Sequence, residues 1–123
     1  MPASPAKAAH AATIYHNSRC STSRKTLELL REHGYQPTIV EYLKTPLARA
    51  QIAALIEAAG LSVREAVRSK EPLYQELGLA DADDAALLDA MAAHPVLLNR
   101  PFVTTAQGTR LARPVEKALE IMA

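Results

Sequence analysis

Cysteine is nearly absent from this chain: Cys20 is the only one in 123 residues. One thiol closes no intramolecular disulfide and supports no internal cysteine relay, so any thiol chemistry has to be completed by an external thiol. Aromatic residues are also scarce, four Tyr and one Phe, too few for a base-stacking platform. Fourteen Lys and Arg face thirteen Asp and Glu, a net charge of +1, and that balance argues against a nucleic-acid or membrane partner. No uninterrupted apolar run approaches the ~18 residues of a membrane span. The opening M-P-A-S-P-A-K-A-A-H lacks the continuous apolar region of a signal peptide, so a reducing cytoplasm is the expected compartment. No Cys/His cluster has metal-ligand spacing, and no metal is expected.

What is present fits one globular domain with a single sizeable core, at 49% hydrophobic and 22% charged residues. Residues 1–11 are Ala/Pro-rich and aperiodic and are expected to form a disordered leader, with the domain over 12–123. Thr13, Ile14 and Tyr15 suggest a first strand over 12–16, followed by a helix from about 21 to 33 that carries Leu27 and Leu30 inward and stops at Gly34. Thr38 to Leu43, introduced by Pro37, has the β-branched and aromatic character of a second strand. Between about 46 and 93 the pattern turns helical. Ile52, Leu55, Ile56 and Ala59 fall on one helical face, Ser62 and Glu65 form a capping-box pair, Pro72 to Leu77 suggests a short helix, and Asp81, Asp83 and Asp84 precede a helix with Leu87, Leu88 and Met91 inward. After Pro95 come one or two strands around Pro101, a turn at Gln107-Gly108 and a further strand. Arg113-Pro114 then opens a last helix whose buried stripe is Val115, Ala118, Leu119 and Met122. The order β-α-β, helices, β-β-α describes an α/β sheet with helices on its faces and one helical insertion.

Cys20 lies where the first strand feeds the first helix. Backbone N–H groups of a first helical turn have no intrahelical partner and attract negative charge. A thiol placed there is acidified: helix N-termini and cationic neighbours lower its pKa from about 8.5 to between about 3.5 and 7.5. Ser18, Arg19, Ser21, Thr22, Ser23 and Arg24 surround it in sequence, a polar and cationic set unsuited to a core strand. These residues point to a thiolate nucleophile in an anion-binding cradle, against the alternative of a small buried hydrophobe. Arg100 stands out for a different reason, since L-L-N-R-P-F-V places a guanidinium inside an otherwise apolar run.

The run Y-H-N-S-R-C-S-T-S-R, Tyr15 to Arg24, resembles the active-site signature H-N-x-x-C-[GS]-[TK]-S-R of the glutaredoxin-coupled arsenate reductase family. Three further segments resemble the same family in the same order: V-R-E-A-V-R from Val63 to Arg68, H-P-V-L-L-N-R-P from His94 to Pro101, and G-T-R-L-A-R-P from Gly108 to Pro114. Four ordered matches over about residues 12–122 are far more specific than one short motif. The resemblance implies a thioredoxin-like fold, a mixed four-stranded sheet flanked by helices with the helical insertion at about 46–93.

It also implies roles. Cys20 would be the nucleophile, and Arg68, Arg100 and Arg113 the oxyanion-binding arginines, whose planar forks suit a tetrahedral anion such as arsenate. His16, Ser23 and Arg24 would tune the thiolate, with a hydroxyl of Ser23 or Thr22 donating to the sulfur. His16 as a core or surface histidine, and Arg24 and Arg113 as surface residues, are the alternatives. Asn17 would fix the turn, and Pro101 would be cis and face the nucleophile. Ser21 stands where many family members carry glycine. The implied reaction reduces arsenate to arsenite through a covalent Cys20–arsenate adduct, resolved by glutathione and glutaredoxin, with no permanently bound cofactor. A monomer is expected.

Two other readings fit parts of this pattern. A glutathione-dependent thiol reductase of the same fold would keep Cys20 without needing Arg68, Arg100 and Arg113. A non-enzymatic redox regulator binding RNA polymerase would carry C-x-x-C, where this chain has C-S-T-S from Cys20 to Ser23. Designs with several cysteines in relay are excluded by the cysteine count. The short spacing from Cys20 to Arg24, three intervening residues where such a loop needs five, argues against a phosphatase-like loop.

Overall fold

In the computed structural model, which describes residues 10–122, the alternation of apolar and polar side chains around Ile14 organises a four-stranded sheet. Strand β1 (His10–Tyr15) buries Ala12 and Ile14 on one face, as a period of two requires. Helix α1 (Ser21–Glu32) follows and returns the chain to β2 (Tyr35–Val40), parallel to β1. Strands β3 (Phe102–Thr105) and β4 (Gly108–Leu111) complete a sheet of order β2-β1-β3-β4, with β3 antiparallel to both its neighbours. A 3₁₀ segment, Val115–Ile121, closes the chain. The core of this unit, residues 10–40 with 100–122, gathers Ala12, Ile14, Leu30, Tyr35, Val103, Ala112, Ala118 and Ile121.

Three boundaries differ from expectation. Strand β1 starts two residues early, because His10 N donates to Gly34 O at 3.0 Å and the His10 ring packs 5.0 Å from that of Tyr35. The expected leader otherwise lies outside the described residues. Strand β2 spans Tyr35–Val40 rather than 38–43, since its register with β1 begins at His10↔Tyr35; Pro37 is tolerated because β2 is an edge strand. The C-terminal segment is 3₁₀ rather than α, with Lys117 N donating to Pro114 O. A period of three aligns Val115, Ala118 and Ile121, so Ala118 and Ile121 are fully buried while Leu119 is 43% exposed.

Residues 41–99 form a second compact unit that contains the expected helical insertion. Helices α2 (Arg49–Ala58), α3 (Val63–Ala66), α4 (Pro72–Glu76) and α5 (Asp84–Ala93) account for about half of it. Ile52, Leu55, Ile56, Leu87 and Met91 are buried, while Leu88 is only partly so. The Ser62–Glu65 capping box forms as expected, and Asp83 caps α5 by accepting from Ala86 N. Of the stretch after Pro95, where the expected strands begin, Val96 and Leu97 instead lie in a 3₁₀ turn at Pro95–Leu97, and Leu98 makes one isolated β-bridge with Val67.

Candidate active site

The turn Tyr15–Ser21 is built by its own polar groups. Asn17 Oδ1 accepts from Arg19 N at 2.9 Å and Asn17 O accepts from Cys20 N at 3.0 Å, while Asn17 N donates to Ser23 Oγ at 3.1 Å. Ser23 Oγ is also 2.6 Å from His16 Nδ1. His16, Asn17 and Ser23 are all buried, so these bonds replace lost hydration and fix the loop. His16 is thus a buried member of the network, and Asn17 makes three of the hydrogen bonds within it.

That loop delivers Cys20 to the N-cap of α1, in extended conformation at φ −93° and ψ 122°, with its carbonyl accepting from Arg24 N. The sulfur is partly buried and free. Burial pushes its pKa up, but the backbone N–H groups of Ser23 and Thr22 and the donor and charge of Arg100 outweigh it, and the thiol sits below its ordinary range. Electrostatic support from oriented amides and a guanidinium is what a helix N-terminus offers a thiolate.

Ser23 acts on the sulfur through its backbone N–H, because its hydroxyl is engaged with His16 and Asn17. Arg24 is exposed and donates to Ser18 O at 2.8 Å, which makes it a clasp on the loop.

Two arginines reach the same place from the far end of the chain. Arg100 is 92% buried by its 8% exposure, yet its Nε and Nη1 have no hydrogen-bond partner. Arg113 Nη1 donates to Arg100 O at 3.1 Å and lies 3.9 Å from Cys20 Sγ. The Arg100–Pro101 peptide is cis, as the resemblance implied, and so is Arg113–Pro114, which no sequence signal marks. Pro101 is buried and its carbonyl accepts from Ala112 N. Ser21, the first helical residue, is exposed.

A buried guanidinium with open donors is costly unless an anion meets it. Arg100 therefore keeps two donors open to an anion, and it is near enough to Cys20 for its charge to lower the thiol pKa. Among the described residues no group of His, Cys, Asp and Glu is arranged to hold a metal ion, and no helix is long and apolar enough to cross a membrane.

Arg68 lies in the second unit, just after α3. Its backbone N donates to Leu97 O at 2.7 Å and its Nε pairs with Glu71 Oε2 at 3.2 Å. Glu71 drew no attention in the sequence, where a carboxylate three residues after an arginine is common on any polar face.

A family model described as the ArsC family matches residues 15–121. An arsenate reductase of Rhizobium meliloti is 55% identical over 112 residues, covering 89% of this chain and 80% of that protein. An arsenate reductase of Escherichia coli K12 is 51% identical over 89% of this chain and 79% of its own length. The solved structure of an arsenate reductase from Vibrio cholerae superposes with a TM-score of 0.89 at 44% identity, covering 93% of this chain and 99% of that one.

Proposed function

The chain belongs to the ArsC family, and from that premise we propose that it is an arsenate reductase whose Cys20 attacks arsenate directly. The observation that carries this reading is the juxtaposition of an acidified thiol with a buried guanidinium whose Nε and Nη1 are unpartnered. Arg100 holds arsenate oxygens, Arg113 spans from the Arg100 carbonyl toward the sulfur, and the Ser23 and Thr22 amides stabilise the thiolate before the anion arrives. By its place in the matched motif, Arg68 is the third oxyanion-binding arginine.

In the first step the Cys20 thiolate forms a bond to arsenic, the As–O bond to one arsenate hydroxyl breaks, and that oxygen leaves as hydroxide, giving a thiol–arsenate adduct. Cys20 is the only cysteine in the sequence, so the second thiol comes from outside. Glutathione attacks the Cys20 sulfur, an S–S bond forms, and the S–As electron pair stays on arsenic, which falls from the +5 to the +3 state and departs as arsenite. Glutaredoxin then attacks the mixed disulfide and returns Cys20 as a thiol. The protein works as a monomer in the reducing cytoplasm and needs no resident cofactor.

The test is arsenite production from arsenate with glutathione and glutaredoxin. Wild-type turnover that disappears in Cys20→Ser and falls sharply in Arg100→Ala is the expected result. Turnover that survives Cys20→Ser refutes the nucleophile, and thiol exchange without arsenite formation favours a glutathione-dependent thiol reductase instead.

A further inference from the structure

Arg68 is held at three points. Its N–H donates to Leu97 O at 2.7 Å, its carbonyl accepts from Glu71 N at 3.2 Å, and its neighbour Val67 bridges Leu98. The backbone is therefore fixed, and only the side chain is free to change partner. That side chain is paired: Arg68 Nε lies 3.2 Å from Glu71 Oε2, with 24% and 21% of the two side chains exposed. Glu71 occupies the N-cap of α4, yet its carboxylate makes no capping bond and turns to Arg68.

We infer that Glu71 is a positioning residue that sets the anion affinity of the reductase: its carboxylate occupies the Arg68 guanidinium as an internal anion that an incoming tetrahedral oxyanion must displace. The inference rests on the reading of Arg68 as an oxyanion-binding arginine. A guanidinium offers the same planar N–H pairs to a carboxylate and to arsenate or phosphate oxygens. While Nε is engaged by Glu71, the edge of the fork that contains it is taken. Glu71 thus weakens the binding of every tetrahedral oxyanion and sets the concentration at which the site fills, with no direct part in bond making.

Anion occupancy is read without turnover by measuring how inorganic phosphate protects Cys20 from iodoacetamide, and with turnover as the KM for arsenate. In Glu71→Gln both constants are expected to fall about two- to fivefold, the range open to a partly exposed ion pair, with kcat unchanged. In an Arg68→Ala background, where both constants start higher, the Glu71→Gln change is expected to have no effect. Constants that stay put or rise in Glu71→Gln overturn the inference. So does an equal fall in both backgrounds, because the carboxylate then acts by general repulsion and not through Arg68. An unaltered constant in Arg68→Ala removes Arg68 from the site and overturns it too. A shift in phosphate protection with no arsenite formed by any variant upholds the role of Glu71 and refutes the reductase reading. Arsenite formation with neither constant moved does the reverse.

Discussion

Arg113 is tied to the backbone of Arg100: its Nη1 donates to the Arg100 carbonyl at 3.1 Å while standing 3.9 Å from Cys20 Sγ. One guanidinium nitrogen thereby fixes its own position on the element that carries the other arginine. Hydrogen bonds to charged groups are worth about 1.5–3 kcal/mol, so Arg113→Ala is expected to lower kcat/KM for arsenate about 10- to 100-fold. Lysine is a point charge without the planar fork, so Arg113→Lys restores only part of the loss. Steady-state kinetics that found the lysine variant equal to wild type would show that charge alone matters here.

The acidified thiol makes a pH prediction whose sign follows from its causes. Burial raises the Cys20 pKa, and the Ser23 amide, Arg100 and the Thr22 amide together lower it further than burial raises it. With the folded pKa below the unfolded one, the native state sheds its proton first as pH rises. Stability therefore increases with pH between the two values, is fully present above the unfolded pKa, and is lost as pH falls through the folded pKa. Urea midpoints followed across that window should rise in the wild type and stay flat in Cys20→Ser. The iodoacetamide rate should reach half its maximum at a lower pH in the folded protein than in the urea-unfolded chain, and Arg100→Gln should move that midpoint up.

Ser23 separates loop stability from thiol tuning. Its hydroxyl accepts from the buried Asn17 amide and bonds His16, whereas its backbone N–H lowers the Cys20 pKa. Ser23→Ala leaves the Asn17 N–H without its acceptor, and an unsatisfied buried donor costs about 1–3 kcal/mol. The urea midpoint should fall with little change in slope. The alkylation midpoint of Cys20 should hardly move, since the alanine keeps the backbone N–H. A large upward shift of that midpoint would return the hydroxyl to the sulfur.

How much of this was legible in the chain depends on how local each signal is. The turn at His16–Asn17, the α1 start at Ser21 and the Ser62–Glu65 cap are specified by neighbouring residues, and each was readable from type and spacing. The position of β2 was not. Thr38, Ile39 and Val40 draw attention to the second half of the strand, but its start is set by pairing with His10, a contact across about 25 residues. The same holds for the site. Arg100 was conspicuous as a charge in an apolar run. The partners that give the arginines their roles, Glu71 for Arg68 and the Arg100 carbonyl for Arg113, are matters of side-chain direction that no spacing encodes.

The C-terminal segment offers a sharp test of period against composition. Val115 to Met122 carries an α-helical stripe that would bury Leu119, but the 3₁₀ geometry buries Ala118 and Ile121 completely and leaves Leu119 43% exposed. Ile121 belongs to the core that contains Ile14, Leu30 and Val103, and its carbonyl accepts from Thr105 Oγ1 at 2.6 Å. Ile121→Ala should therefore cost about 2–5 kcal/mol through the cavity it leaves, whereas Leu119→Ala should stay within about 0.5 kcal/mol of wild type. Chemical denaturation of the two variants distinguishes the geometries, because an α-helical stripe would make Leu119 the costly position. Losing Ile121 should also weaken the packing beneath β3, the strand that begins one residue after Pro101, so a measurable fall in arsenate turnover should accompany the lost stability in that variant alone.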